Sequence, residues 1–309
     1  MTSAPAASTP SLISLRRSVS LTKAFSYGFS AFAVGVLVFM VVLFVWQSLP
    51  AWRHEGFGYL TGKKWFYRDA LFGVAPMIYG TAVVSLIALV LAAPVGIGAG
   101  MFIAEFLPAR VRYAAKITIE LLAGVPSVVY GLLGILFLRD WMYRALTPFD
   151  PLSGDTLLTG GVLLAVMILP TLMTLSEDAL RAIPAAQRAA ARSLGLTRTE
   201  ALLWVALPQA RRGILAAVLL ALGRALGETI AVFLVVGRQD NRWPENVFSP
   251  RVWTEAGQTL TSKLGGSETN IAYGGELHWA AIIGLGLVLL VIVGVVTYAG
   301  AWLEEKKNA

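Results

Sequence analysis

Six long apolar runs dominate this chain, at about 26–49, 75–106, 117–138, 156–175, 213–237 and 277–302. About twenty apolar residues at 1.5 Å rise cross the hydrocarbon core of a bilayer. Inside it each backbone N–H and C=O must be satisfied within the protein, which makes a run of this kind helical. Of the 309 residues, 57% are hydrophobic and 14% charged, and the mean hydropathy is +0.70. Soluble domains carry about a quarter charged residues. The expected fold is therefore all-α and integral to a membrane, with six spanning helices.

The rest of the composition excludes several functions. Cys is absent, which removes disulfides, thiolate chemistry and Cys-ligated metal. His54 and His278 are the only histidines, too few for a His-built metal site. No catalytic cluster and no metal site is expected. The net charge of +7 is spread along loops, which fits positive-inside topology rather than nucleic-acid binding. Six spans place both termini on one side. The N-terminal tail, the 107–116 and 176–212 loops and the C-terminal tail hold fourteen of the 25 Lys and Arg, the opposite loops ten. The 238–276 loop adds five acids, among them Asp240, Glu245 and Glu268. Both termini are placed in the cytoplasm.

Residues 1–25 are expected to form a cytoplasmic tail, disordered over the Ala-, Ser- and Pro-rich 1–14. The first apolar run is too long for a signal-peptide core, and Pro50 is expected to end it. Trp52, Tyr59, Trp65 and their aromatic neighbours in 51–74 suit a membrane–water interface. Pro94, with Gly96, Gly98 and Gly100, predicts a kinked, closely packed second helix, and Glu105 falls at its boundary. In the third run, Gly124, Pro126, Ser127 and Gly131 break regular helix, either as a packing kink or where freed backbone lines a cavity. Residues 303–309 form a second short tail.

The fifth run holds the costliest residues, Arg224 and Glu228. An Arg at the centre of a membrane helix costs about 2.5–3.5 kcal/mol on insertion scales. Four residues apart, the two share a helix face and can pair. Gly223 and Gly227 repeat that spacing and admit a close neighbour. Arg224 lies 16 residues beyond Pro208, roughly 24 Å along a helix and deep in the membrane.

The polar 176–212 segment has its own pattern. Pro184 opens a helix that Gly195 closes. Thr197 and Glu200 form a capping box for a second short helix, expected to end near Ala206 before Pro208. Such a hairpin either docks a cytoplasmic partner or lies on the membrane surface.

Ala189-Ala190-Ala191, Gly195, Val205 and Leu207-Pro208 resemble, at matching spacing, the EAA loop of ABC-importer permeases. Ala189 stands where the family has Glu, and Val205 where it has Ile. Gly124–Gly131 and Gly223–Val232 are similar to signatures of phosphate-importer permeases, nearer the PstC-type than the PstA-type subunit. The resemblance spans about 75–302. It implies a type I ABC-importer permease with a cytoplasmic coupling hairpin, in the inner membrane of a prokaryote. It also implies a PstA-type partner permease, two copies of an ATPase on the hairpins, and an extracytoplasmic phosphate-binding protein. No enzyme activity and no bound cofactor is expected of this chain; ATP is used by the partner, since a phosphate-binding loop is absent. The resemblance puts Arg224, Glu228 and Thr229 in the phosphate pathway. The Arg224 fork suits phosphate oxygens, while Glu228 holds the Arg when substrate is absent or accepts from a protonated phosphate oxygen. The competing readings are a permease for another oxyanion, a secondary transporter and a membrane-embedded enzyme.

Overall fold

The computed structural model of the chain describes residues 12–244 and 250–308. Residues 1–11 of the expected tail, Glu245 of the long loop and Ala309 lie outside the described residues. Helix α1 (Leu12–Glu55) carries the first apolar run. It begins inside the expected tail, so residues 12–25 are helical. It also continues through Pro50, because a proline removes one backbone donor and need not end the helix. Residues up to Gln47 form one unit, in which Phe29, Phe32, Leu37 and Phe39 are exposed, as lipid-facing side chains should be.

The second unit begins at Ser48. Strands β1 (Trp65–Phe66) and β2 (Leu71–Phe72) pair antiparallel, Trp65 opposite Phe72. Then come α2 (Ala75–Glu105), α3 (Ala109–Ala123), α4 (Ser127–Leu133), α5 (Leu157–Arg181) and α6 (Ala185–Ser193). They are followed by α7 (Leu207–Gly227), α8 (Ile230–Val235) and α9 (Glu276–Asn308). Among the described residues five helical stretches are long and apolar enough to cross a membrane. The third apolar run is bent rather than straight: α3 and the helical stretch from Ser127 to Phe149 meet at 81°, the shape of a broken span or of a re-entrant loop. Pro126 lacks an N–H and disfavours helical geometry at Val125, so the chain turns there.

Helices α2 and α5 pack along their length, and α7 joins them. Val84, Ala88, Ala92, Ile168, Leu172, Ala221 and Ala225 form their shared core. Small residues set the spacing. A Cβ on Gly96 would stand 2.7 Å from Leu172 Cβ, and one on Gly100 2.8 Å from Ser176 Cβ. Gly98 faces open space and takes no part. Helix α2 continues through Pro94.

Two loops differ from expectation. Tyr59 and Trp65 are buried with Phe72, Met77, Leu260 and Ala281 in a core of their own and so do not act as interfacial anchors, whereas Phe57, Phe66 and Tyr67 are exposed. The Tyr59 hydroxyl donates to the Ala281 carbonyl at 2.7 Å. The 238–276 loop does not simply lie in solvent. Its Leu260–Leu264 turn is held by a Thr259–Ser262 capping box. Gln258 O approaches Gly80 so closely that a Cβ there would lie 2.1 Å away, and Leu260 N–H donates to Thr81 Oγ1 at 2.9 Å.

Candidate functional site

Arg224 lies in the last turn of α7 and its side chain is exposed on this chain. Its Nη1 donates to Thr171 Oγ1 on α5 at 2.7 Å, and its Nη2 to the Ala123 carbonyl at 3.2 Å. Ala123 ends α3, and Pro126, three residues on, has no N–H to give its carbonyl. The guanidinium thus spans α7, α5 and the broken span. Tyr130 on α4 donates to the Leu122 carbonyl beside it at 3.0 Å. The Leu122 carbonyl also accepts from Val125 N–H at 3.3 Å, so of the two it is the Ala123 carbonyl that depends on a side chain, Arg224.

Glu228 does not share a helix face with Arg224. Helix α7 stops at Gly227, and Glu228 is extended (φ −72°, ψ 119°). Its Oε1 accepts from Ala231 N–H at 3.2 Å, so it caps α8. Among the described residues Arg224 forms no ion pair, and the expected Arg224–Glu228 pair is absent. A carboxylate at a helix start is favoured by the free N–H groups and the helix dipole, and that competes with pairing. Thr229 is half-buried beside it, its hydroxyl donating to the Gly227 carbonyl at 3.3 Å.

The expected packing glycines divide. A Cβ on Gly223 would meet Thr297 Oγ1 of α9 at 2.7 Å, and one on Gly131 would meet Leu234 Cδ1 at 2.6 Å. Gly131 thus lets α4 and α8, the halves beyond the two breaks, pack together. Gly227 faces open space, and Gly124 nears only carbonyls of its own α3, so neither admits a neighbouring helix. Ser127 is the first residue of α4, behind Pro126.

The hairpin forms largely where the sequence places it. Pro184 precedes α6, Gly195 adopts φ +86°, and both arms of the Thr197–Glu200 capping box are present. The second limb does not end at Ala206. A π-helical turn at Ala201–Ala206 carries it into α7, with Pro208 in the first turn, so Arg198–Gly227 is one continuous helical stretch. Pro208 follows directly on the π-helical turn, where the regular i→i−4 ladder is already interrupted, so its missing N–H does not stop the helix. Ala191 and Ala206 are buried, and Val205 and Leu207 half-buried. Ala189 and Ala190 are exposed.

Three features escaped the sequence reading. Thr171 gave no signal, because a lone Thr in an apolar helix is ordinary. Glu105, read as a boundary carboxylate, lies 2.7 Å from Arg188 Nη1, off the line of a hydrogen bond, and ties the hairpin to α2 by charge. At the opposite end from the hairpin, buried Lys263 contacts Asp240 at 2.7 Å and also Glu268. Glu268 accepts from Trp65 Nε1 at 2.5 Å, and its Oε1 lies 2.9 Å from His278 Nε2. Burial works to raise the Glu268 carboxyl, but hydrogen bonds from Lys263, Trp65 and His278, with the Lys263 charge, bring it below the usual carboxylate range. Among the described residues no His, Cys, Asp or Glu group is placed to hold a metal.

Residues 96–308 match the family described as "Binding-protein-dependent transport system inner membrane component". The chain is 34% identical over 263 residues to the phosphate transport system permease protein PstC of Mesorhizobium japonicum, covering 80% of this chain and 77% of the relative. It is 36% identical over 239 residues to PstC 1 of Mycobacterium tuberculosis, covering 72% and 69%. In fold it is similar to a bacterial ABC transporter that imports alginate (TM-score 0.55, 14% identity, 94% of this chain and 98% of that chain). It is similar also to the inward-facing MetNI methionine ABC transporter (TM-score 0.55, 15% identity, 74% and 93%). Spanning helices around a break, a capped hairpin continuous with one of them, and this similarity agree: the chain belongs to the family of inner-membrane components of binding-protein-dependent transport systems, as the permease subunit of an ABC importer.

Proposed function

We propose that the chain forms half of the translocation pathway of an ATP-driven phosphate importer, and that Arg224 is its phosphate contact. The observation that carries this is an exposed guanidinium in a membrane-spanning helix, held among the described residues only by the neutral oxygens of Thr171 and Ala123. A charge so placed cannot face lipid without a large penalty, so it faces a polar pathway or a second subunit. Neutral acceptors leave its charge uncompensated, and a phosphate arriving there gains a bidentate, charge-assisted contact. The similarity to PstC proteins supports phosphate over other oxyanions. Glu228 and Thr229 lie at the adjoining break, where Glu228 accepts from a protonated phosphate oxygen. The pathway partner is a PstA-type permease, and an extracytoplasmic binding protein delivers phosphate.

The hairpin is the ATPase dock, with one ATPase copy on each permease and both termini in the cytoplasm. Its motion reaches Arg224 through 26 residues of continuous helix from Arg198, roughly 39 Å. It reaches α2 through the Arg188–Glu105 contact. ATP is bound and hydrolysed by that partner; this chain holds no cofactor and performs no catalysis. The test is uptake of radiolabelled phosphate by the assembled complex in vesicles. Uptake should need ATP, survive collapse of the proton gradient and resist excess sulfate or molybdate. Effective competition by sulfate would reassign the substrate, and loss of uptake with the proton gradient would overturn the ATP-driven reading.

A further inference from the structure

At the base of the hairpin a cavity of about 420 Å³ lies between the α2–α3 turn, α6 and the start of the Arg198–Gly227 stretch. Four arginines line it: Arg112 on α3, Arg188 and Arg192 on α6, and Arg198. One carboxylate, Glu105, lines it with them, and it meets Arg188. Arg112 Nη2 donates to the Leu107 carbonyl at 2.9 Å and Arg192 Nε to the Arg188 carbonyl at 3.4 Å, both uncharged acceptors. Among the described residues Arg112, Arg192 and Arg198 form no ion pair. The Nε–H groups of Arg112 and Arg188 are buried and reach no acceptor there.

We infer that this cavity binds a phosphate oxyanion, either free inorganic phosphate or the phosphate of an anionic lipid headgroup, at a place separate from the Arg224 pathway. Guanidinium groups arriving from three segments repel one another unless an anion sits among them. A buried N–H without an acceptor has lost its hydration with nothing in return, and an oxyanion supplies the missing acceptor. A tetrahedral phosphate accepts from several forks at once, whereas a planar carboxylate is satisfied by one or two. The cavity wall also carries apolar Phe106 and Leu107, beside the last residues of a spanning helix. That is where a headgroup would enter from the lipid.

The test uses the assembled importer carrying Arg224→Gln, so that the proposed pathway contact does not contribute. Binding of radiolabelled inorganic phosphate is measured in phosphatidylcholine nanodiscs, with and without Arg112→Gln/Arg198→Gln. In parallel, native mass spectrometry counts phosphatidylglycerol retained from mixed phosphatidylcholine–phosphatidylglycerol nanodiscs. Phosphate affinity falling by about tenfold or more in the double variant identifies the free anion. Loss of a retained phosphatidylglycerol in that variant identifies the headgroup. If neither measurement changes, the inference is overturned, and the same holds if only ATPase association is lost, since the arginines then dock protein. Should the double variant not assemble, Arg198→Gln alone decides, because Arg198 is exposed and belongs to no core.

Discussion

Arg224 and Lys263 are both cations in places where water is scarce, and their surroundings are opposite. Lys263 is 2% exposed and meets Asp240 and Glu268, with the Trp65 ring 5.2 Å from its Nζ. Its charge is cancelled inside the fold, so it ties the 238–276 loop to the β-hairpin and α9. Arg224 is exposed on the chain and, among the described residues, meets only a hydroxyl and a carbonyl. Its charge is positioned but not cancelled. A neutralised cation stabilises architecture, and an unneutralised one on rigid supports is ready for an anion from outside the chain.

This contrast can be broken by experiment. Arg224→Gln should lower phosphate uptake by roughly a thousandfold with the complex still assembled, since it removes the sole charged donor at the site. Arg224→Lys keeps charge without the fork and should lie between. Uptake unchanged in Arg224→Gln would remove the pathway role. Lys263→Met should do the reverse, leaving Asp240 and Glu268 without a cation. The loss of stability is about 3 kcal/mol, seen as a lower melting temperature with uptake per folded complex preserved. If uptake fell while melting did not, Lys263 would belong with Arg224. Thr171→Val removes the 2.7 Å acceptor of Arg224 and should reduce uptake about three- to tenfold, with Thr171→Ser restoring it. A mere loss of stability in Thr171→Val, without the serine rescue, would argue against positioning.

The smallest effect is with pH. The Glu268 carboxyl is held below its ordinary value of 4.5 in the folded chain. A lowered carboxyl contributes stability that is fully present above that ordinary value and is lost as pH falls through the folded value. Trp65 fluorescence in Lys263-containing protein should therefore be constant from neutrality down to about pH 4.5, then change as the cluster loosens. The Lys263→Met protein should begin to change at higher pH, because its Glu268 has lost the main group that lowers it.

The hairpin was the most legible part of the site. Proline at a helix start, glycine with positive φ and a hydroxyl–Glu capping box act over three or four residues, so their outcome is written locally. The Gly124–Pro126 break was legible for the same reason. Prolines were misleading where context overrode them: Pro50 and Pro208 both lie within helices. Conversely, the break after Gly227 has no proline at all. Glu228 had two uses available, a partner one turn back or the N–H groups of the next helix, and spacing could not choose between them.

Apolar length, the absence of Cys and the capped hairpin follow from sequence alone, because hydrocarbon forces helices and local chemistry forces caps. So does the presence of an Arg too costly to be incidental. Tertiary structure decided what that Arg touches. Thr171 is 53 residues away and Ala123 is 101, and only packing of α5 and the broken span against α7 brings their oxygens to one guanidinium. The same packing left Arg224 without an ion pair among the described residues, while burying Lys263 against Asp240 and Glu268.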